Sequence, residues 1–115
     1  MRLSGDPREI ATTLLRRSTC AVQVGAVIED GWGVFGWGWN SSGRTGYGMH
    51  AEDHALARSN KGRLGGATLY VAARRRRNGK VVTARPCPDC QGLIQNWGIG
   101  RVWYRDGNGV WCCLF

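Results

Sequence analysis

Pro86-Cys87-Pro88-Asp89-Cys90 and, beginning 37 positions before Cys87, His50-Ala51-Glu52 are the stretches on which the reading of this chain turns. The first supplies two thiols separated by two residues. The second supplies an imidazole and, two positions on, a carboxylate. A Cys-x-x-Cys pair with one distant His is a three-ligand set for zinc. Three protein ligands leave the fourth tetrahedral position to water, as in a catalytic rather than a structural ion. Zinc brings the pKa of such a water toward neutrality, and Glu52 stands close enough to the imidazole to handle the protons. His50, Cys87 and Cys90 are therefore the candidate ligands of a zinc ion (Zn2+), and Glu52 is the candidate proton shuttle. His54, four positions after His50, offers a competing ligand pair. Ala51 stands where a metalloprotease pattern needs Glu, so His54 is read as a buried, hydrogen-bonded supporting residue.

Both stretches read as helix starts. Pro88 has a preset φ at a first-turn position where no N–H is needed, and the helix it opens runs to Trp97 and ends at Gly98. His50 to Asn60 is a second helix, closed by Lys61-Gly62. Ser4 to Arg17 precedes both, with Asp6 as N-cap and Pro7 at the first helical position.

Strands fill the intervals. Thr19 to Ile28 is almost continuously apolar, which implies cover on both faces. Glu29-Asp30-Gly31 reads as a tight turn, and Trp32 to Trp39 as the returning strand of a hairpin. Glycines alternate with large residues there, so a helix packs very close, and Trp32, Trp37 and Trp39 are taken as sheet-covering. Ala67 to Ala73 is a third strand, followed by a basic turn, Arg74 to Lys80, and a short continuation, Val81 to Thr83. Gly100 to Arg105 and Val110 to Phe115 are joined by the hairpin turn Asp106-Gly107-Asn108-Gly109. Helical crossovers between strands two and three, and three and four, predict a three-layer α/β/α sandwich. Its centre is a five-stranded mixed sheet with an antiparallel last strand.

Composition sets the surroundings. A chain of 115 residues suits one domain. It has no apolar run long enough for a bilayer and no signal-peptide pattern, so a soluble cytoplasmic protein is expected. Five cysteines in these positions do not read as a disulfide framework. The net charge of +8 favours polyanionic partners. Ligands of open α/β sheets bind at the carboxyl ends of the strands. That edge should gather the candidate ligands together with Arg16, Arg17, Arg44, Arg74, Arg75, Arg76, Arg77, Lys80, Arg85 and Arg105. This concentration points to a substrate with several phosphates.

With these residues in place, the chain resembles the cytidine deaminase-like superfamily of zinc-dependent nucleobase deaminases over almost its whole length, as one deaminase domain, 1–115. His50-Ala51-Glu52 and Pro86-Cys87-Pro88-Asp89-Cys90 look like its two motifs. Val24-Gly25-Ala26-Val27-Ile28 looks like its first strand. Gly66 to Val71 and Trp97 to Tyr104 look like the third and fourth strands with their lead-ins. Arg85-Pro86-Cys87 and the Asn40-Ser41-Ser42 loop look most like small phage- and virus-encoded members. The resemblance implies hydrolytic conversion of cytosine to uracil with Asn40 and Ala51 as substrate contacts. The hairpin before the last strand is similar to that of free-nucleoside deaminases, plant RNA editors and bacterial DNA-deaminating toxins alike, so topology leaves the substrate open. The favoured partner is a nucleic acid, single-stranded DNA, because the chemistry needs an unstacked base. Basic residues would track its phosphates, with Arg44 and Arg85 nearest the base and Tyr47 stacking on it. The alternative is a free cytidine or deoxycytidine nucleoside or nucleotide (dCMP-type). A non-enzymatic zinc-stabilised binding module would have no use for Glu52.

Overall fold

The computed structural model describes residues 5–42 and 48–115. The readings placed on Arg44, Tyr47 and the helix start at Ser4 lie outside these residues. In chain order come α1 (Pro7–Leu14) with a 3-10 turn (Leu15–Arg17), β1 (Val22–Asp30), β2 (Gly33–Trp39) and α2 (Ala51–Arg58) with a 3-10 turn (Lys61–Arg63). Then follow β3 (Thr68–Arg75), α3 (Pro88–Asn96), β4 (Arg101–Arg105) and β5 (Trp111–Cys113). The sheet order is β2-β1-β3-β4-β5. Only β3 and β4 pair in parallel; β1 is antiparallel to β2 and β3, and β5 to β4. The α/β sandwich on a mixed sheet with an antiparallel last strand is thus the observed architecture.

Two apolar clusters make the layers. Ala11, Leu14 and Leu15 of the first helical segment cover Val27 and Ala72 on one face. On the other face, Ala55 and Leu56 of α2 and Ile94 of α3 cover Ala26, Ile28, Leu69, Val71 and Val102. Strand alternation sorts neighbouring residues between the two clusters. Glycine sets how closely α2 approaches. A Cβ at Gly38 would stand 2.6 Å from the Ala55 nitrogen and 2.8 Å from the His54 Cβ, and one at Gly36 would collide with Ser59 Oγ. Gly36 and Gly38 therefore face α2, whereas Trp37 and Trp39 pack with the α1 cluster.

Several boundaries differ from the sequence expectation. The first hairpin turns at Gly31-Trp32, not at Glu29 to Gly31. Asp30 is claimed by Arg63, 2.7 Å away, and accepts the Trp32 N–H at 2.9 Å. Trp32 is consequently 94% exposed rather than sheet-covering. The first strand begins at Val22, because Gln23 Nε2 donates to Ser18 O and Cys20 N–H to Ser18 Oγ, turning the chain before it. β3 continues through Arg75, so Arg74 and Arg75 are strand residues; the turn is 76–78, followed by Gly79 at φ 71°. α2 ends at Arg58, where Lys61 Nζ donates to the carbonyls of Leu56, Ala57 and Ser59. No helix among the described residues is long and apolar enough to cross a membrane.

Candidate active site

β2 and β3 both deliver the chain to the same sheet edge, and α2 and α3 start there. His50 is the N-cap residue of α2 and Cys87 that of α3, and neither side chain caps its own helix. Both are free to converge. His50 Nδ1 lies 3.0 Å from Cys90 Sγ and 3.8 Å from Cys87 Sγ. All three atoms fall within 4.8 Å of one another, and they form the one such His/Cys/Asp/Glu cluster among the described residues. Ligand atoms about 2.0–2.3 Å from a tetrahedral zinc stand roughly 3.5 Å apart, so the spacing fits. The donor chemistry fits too. Burial first, and the neighbouring Glu52 charge second, push the Cys90 thiol pKa far up. A cation at the site is what would make that thiolate stable. Gln91 Nε2 steadies the Cys-x-x-Cys segment by donating to Pro86 O at 2.8 Å.

Glu52 sits in the first turn of α2, only 5% exposed. Burial raises its pKa, so its carboxyl holds a proton more readily than a surface Glu. It lines a cavity of about 230 Å³ with His50, Ala51, Asn40, Arg85 and Cys87. Asn40 is fully oriented. Its Oδ1 accepts from Ser18 Oγ (2.6 Å) and the Val24 N–H (2.8 Å), and its Nδ2 donates to Val22 O (2.8 Å). Both acceptor lone pairs are occupied, leaving one amide N–H to offer. Val24, Thr83 and Ala84 complete the cavity wall. The sequence reading did not assign these to the site, and it gave no role to Ser18, which orients Asn40 from 22 positions away. Strand alternation does put Val24 on the α2 side of β1; nothing local marks Ser18.

His54 stays outside the triad. Its Nδ1 lies 3.2 Å from both the N and O of Trp39, and its ring meets the Trp39 ring edge-on at 4.7 Å.

The basic residues divide into two groups. Arg16, Arg17, Arg75, Arg76, Arg77, Lys80 and Arg85 are exposed. Arg74 is half-buried and donates to Gln23 Oε1 at 2.8 Å. Arg105, expected at the mouth, instead reaches α1, donating to Ala73 O (3.2 Å) and Thr12 Oγ1 (3.4 Å). Alternation along β4 gives the reason, since Tyr104, not Arg105, belongs to the cluster on the α2 and α3 side. The ion pairs among the described residues are Arg8–Asp6 and Arg63–Asp30. The exposed group thus keeps its charge without carboxylate partners among the described residues.

A family model described as the cytidine and deoxycytidylate deaminase zinc-binding region matches residues 8–105. No match was found among curated proteins. Among solved structures, the chain is similar to the cytidine deaminase from Burkholderia pseudomallei at TM-score 0.71 and 19% identity, covering 93% of this chain and 87% of that one. It is also similar to the dCMP deaminase from the cyanophage S-TIM5, at TM-score 0.66 and 24% identity over 87% and 79%. The cytidine deaminase from Mycobacterium leprae follows at TM-score 0.60 and 19% identity over 92% and 88%. At these identities the structural likeness is one of fold.

Proposed function

The chain belongs to the cytidine and deoxycytidylate deaminases, zinc-dependent enzymes, and from that premise we propose that it converts cytosine to uracil in single-stranded DNA. The observation that carries the choice of substrate is the set of exposed arginines without carboxylate partners among the described residues, with Arg85 among them lining the cavity itself.

His50, Cys87 and Cys90 hold the zinc, which when bound supplies Lewis acidity and a nucleophile at neutral pH. Glu52 takes one proton from the attacking water and gives it to the ring nitrogen, then takes the second from the newly added hydroxyl and gives it to the amino group, which leaves as ammonia. Burial suits the carboxyl to that exchange by raising its proton affinity. Ala51 opens α2, where the backbone N–H has no intrahelical partner, and it offers that donor to the base. Asn40 offers its remaining amide N–H to the nucleotide. Arg85 meets the nearest phosphate, and Arg16, Arg17, Arg75, Arg76, Arg77 and Lys80 meet the phosphates beyond it. Arg74 contributes field rather than contact while Gln23 holds it. A single strand spares the cost of flipping the base out of a duplex.

A second reading, deamination of free deoxycytidylate with Arg85 on a lone 5′-phosphate, is supported by the family model, which includes deoxycytidylate deaminases, and by the place of Arg85 in the cavity wall. Purified protein assayed on single-stranded DNA, duplex DNA, RNA and dCMP, beside Glu52→Ala, separates the two. Uracil formation in single-stranded DNA by the wild type and not by Glu52→Ala is the expected result. Activity on dCMP alone would overturn the polynucleotide reading.

A further inference from the structure

We infer that the outer edge of β2 is a track for the DNA strand flanking the target base, an inference that rests on the polynucleotide reading above. β2 is an edge strand. Gly36 and Gly38 let α2 lie so close that Arg58, in the last turn of α2, reaches the indoles of the edge strand. The Arg58 Cζ lies 5.3 Å from the Trp37 ring centre and 5.5 Å from that of Trp39. Arg17 joins from the turn after α1, its Cζ 5.3 Å from the Trp39 ring. Cation and ring therefore alternate in the order Arg17, Trp39, Arg58, Trp37. Both indoles are partly exposed and both arginines exposed, and neither arginine has a carboxylate partner among the described residues. A small cleft of about 80 Å³ opens between Phe35, Gly36, Trp37 and Arg58.

The stack begins where the catalytic cavity ends, since Trp39 is followed directly by Asn40 in the cavity wall. Its chemistry suits one class of partner. Guanidinium groups neutralise phosphates, and guanidinium and indole planes accept bases of any identity by stacking. Its spacing suits the same class. Residues two apart on a strand are separated by about 6.6 Å, about twice the 3.4 Å rise per nucleotide of a stacked strand. An extended, unstacked single strand can follow that pitch, whereas a duplex cannot.

The test uses zinc-loaded protein and cytosine-containing DNA oligonucleotides of about 4 and about 16 nucleotides, the span of single-strand sites. KM for each length is measured for wild type, Arg58→Glu, Arg17→Glu and, as a charge control at an exposed residue of β4, three places away from β2 in the sheet order, Arg101→Glu. Arg58→Glu is expected to raise KM for the longer DNA about tenfold, bringing the two KM values together. It should also flatten the salt dependence by about 0.7 for each phosphate the protein no longer neutralises. Arg17→Glu should act in the same direction. Arg101→Glu should leave the ratio of the two KM values as in wild type. Wild type active on DNA with the same ratio in Arg58→Glu overturns the track alone. Wild type active on dCMP but on no oligonucleotide overturns the polynucleotide reading, and the track with it. A protein dimer that Arg58→Glu dissociates, with the KM ratio unmoved, gives the edge to a second copy and also overturns the track.

Discussion

Gly38→Ala is the sharpest test of how the site is held. The added Cβ would stand 2.6 Å from the Ala55 nitrogen and 2.8 Å from the His54 Cβ. Most of what it meets there is α2 itself: the Ala55 nitrogen and the His54 carbonyl carbon are backbone, and no rotamer change relieves them. Ordinary contact begins near 3.4 Å, so α2 must retreat from β2 by about 0.8 Å, the difference between that contact distance and the 2.6 Å approach. Overpacking of this kind costs about 1–3 kcal/mol, and a domain of this size loses about 4 °C of Tm per kcal/mol. The helix carries His50 and Glu52, so both move away from Cys87 and Cys90. A misplacement near 1 Å lowers turnover about 100-fold. Thermal unfolding of the zinc-loaded protein and kcat on its best substrate measure the two effects. Wild-type Tm together with wild-type kcat in Gly38→Ala would refute the claim that close glycine packing positions the catalytic helix.

Gly92→Ala should do the opposite. The position lies inside α3 with open space where a Cβ would go, so helix propensity favours Ala by about 0.5–1 kcal/mol; a raised Tm with unaltered kcat checks it. Acid unfolding should depend on Asp30, whose carboxyl is held down at about 2, first by its hydrogen bond from Arg63. A depressed folded pKa means the contribution is fully present above the ordinary value of about 3.9 and is lost as pH falls through about 2. The Tm gap between wild type and Asp30→Asn should therefore close over that window, and a gap constant with pH would contradict it. Zinc at about 100 times its Kd should add about 2.7 kcal/mol of stability. A chelator should remove that increment and Cys90→Ser should abolish it, as read by unfolding titrations.

The ligand set was legible because its chemistry is written in residue type and spacing. His50, Cys87 and Cys90 meet in the structure just as a three-ligand pattern requires. The mixed sheet and the antiparallel β5 were legible from two hairpins and two helical crossovers, whereas the placement of β1 between β2 and β3 was not assigned. The details that escaped depend on partners distant in sequence. Asp30 moved the first turn, and exposed Trp32, because Arg63 lies 33 positions away. The arginine run read as one basic turn at the binding edge, yet Arg74 is a strand residue bonded to Gln23, 51 positions earlier. Arg105 was sent to α1 by strand alternation, which a count of basic residues ignores. Ser18 carries no local sign of its contact with Asn40.

The two helix starts that carry His50 and Cys87 set fold and function in competition. Ser, Asp or Asn at either position would satisfy a free backbone N–H of the helix and stabilise it by about 0.5–2 kcal/mol. Selection for folded yield alone, as in a screen of random variants by heat resistance, therefore pulls positions 50 and 87 away from the ligands. Zinc supply decides the direction. Without zinc the capping residue gives the more stable fold, whereas at zinc well above its Kd the binding energy of the ion outweighs the missing caps.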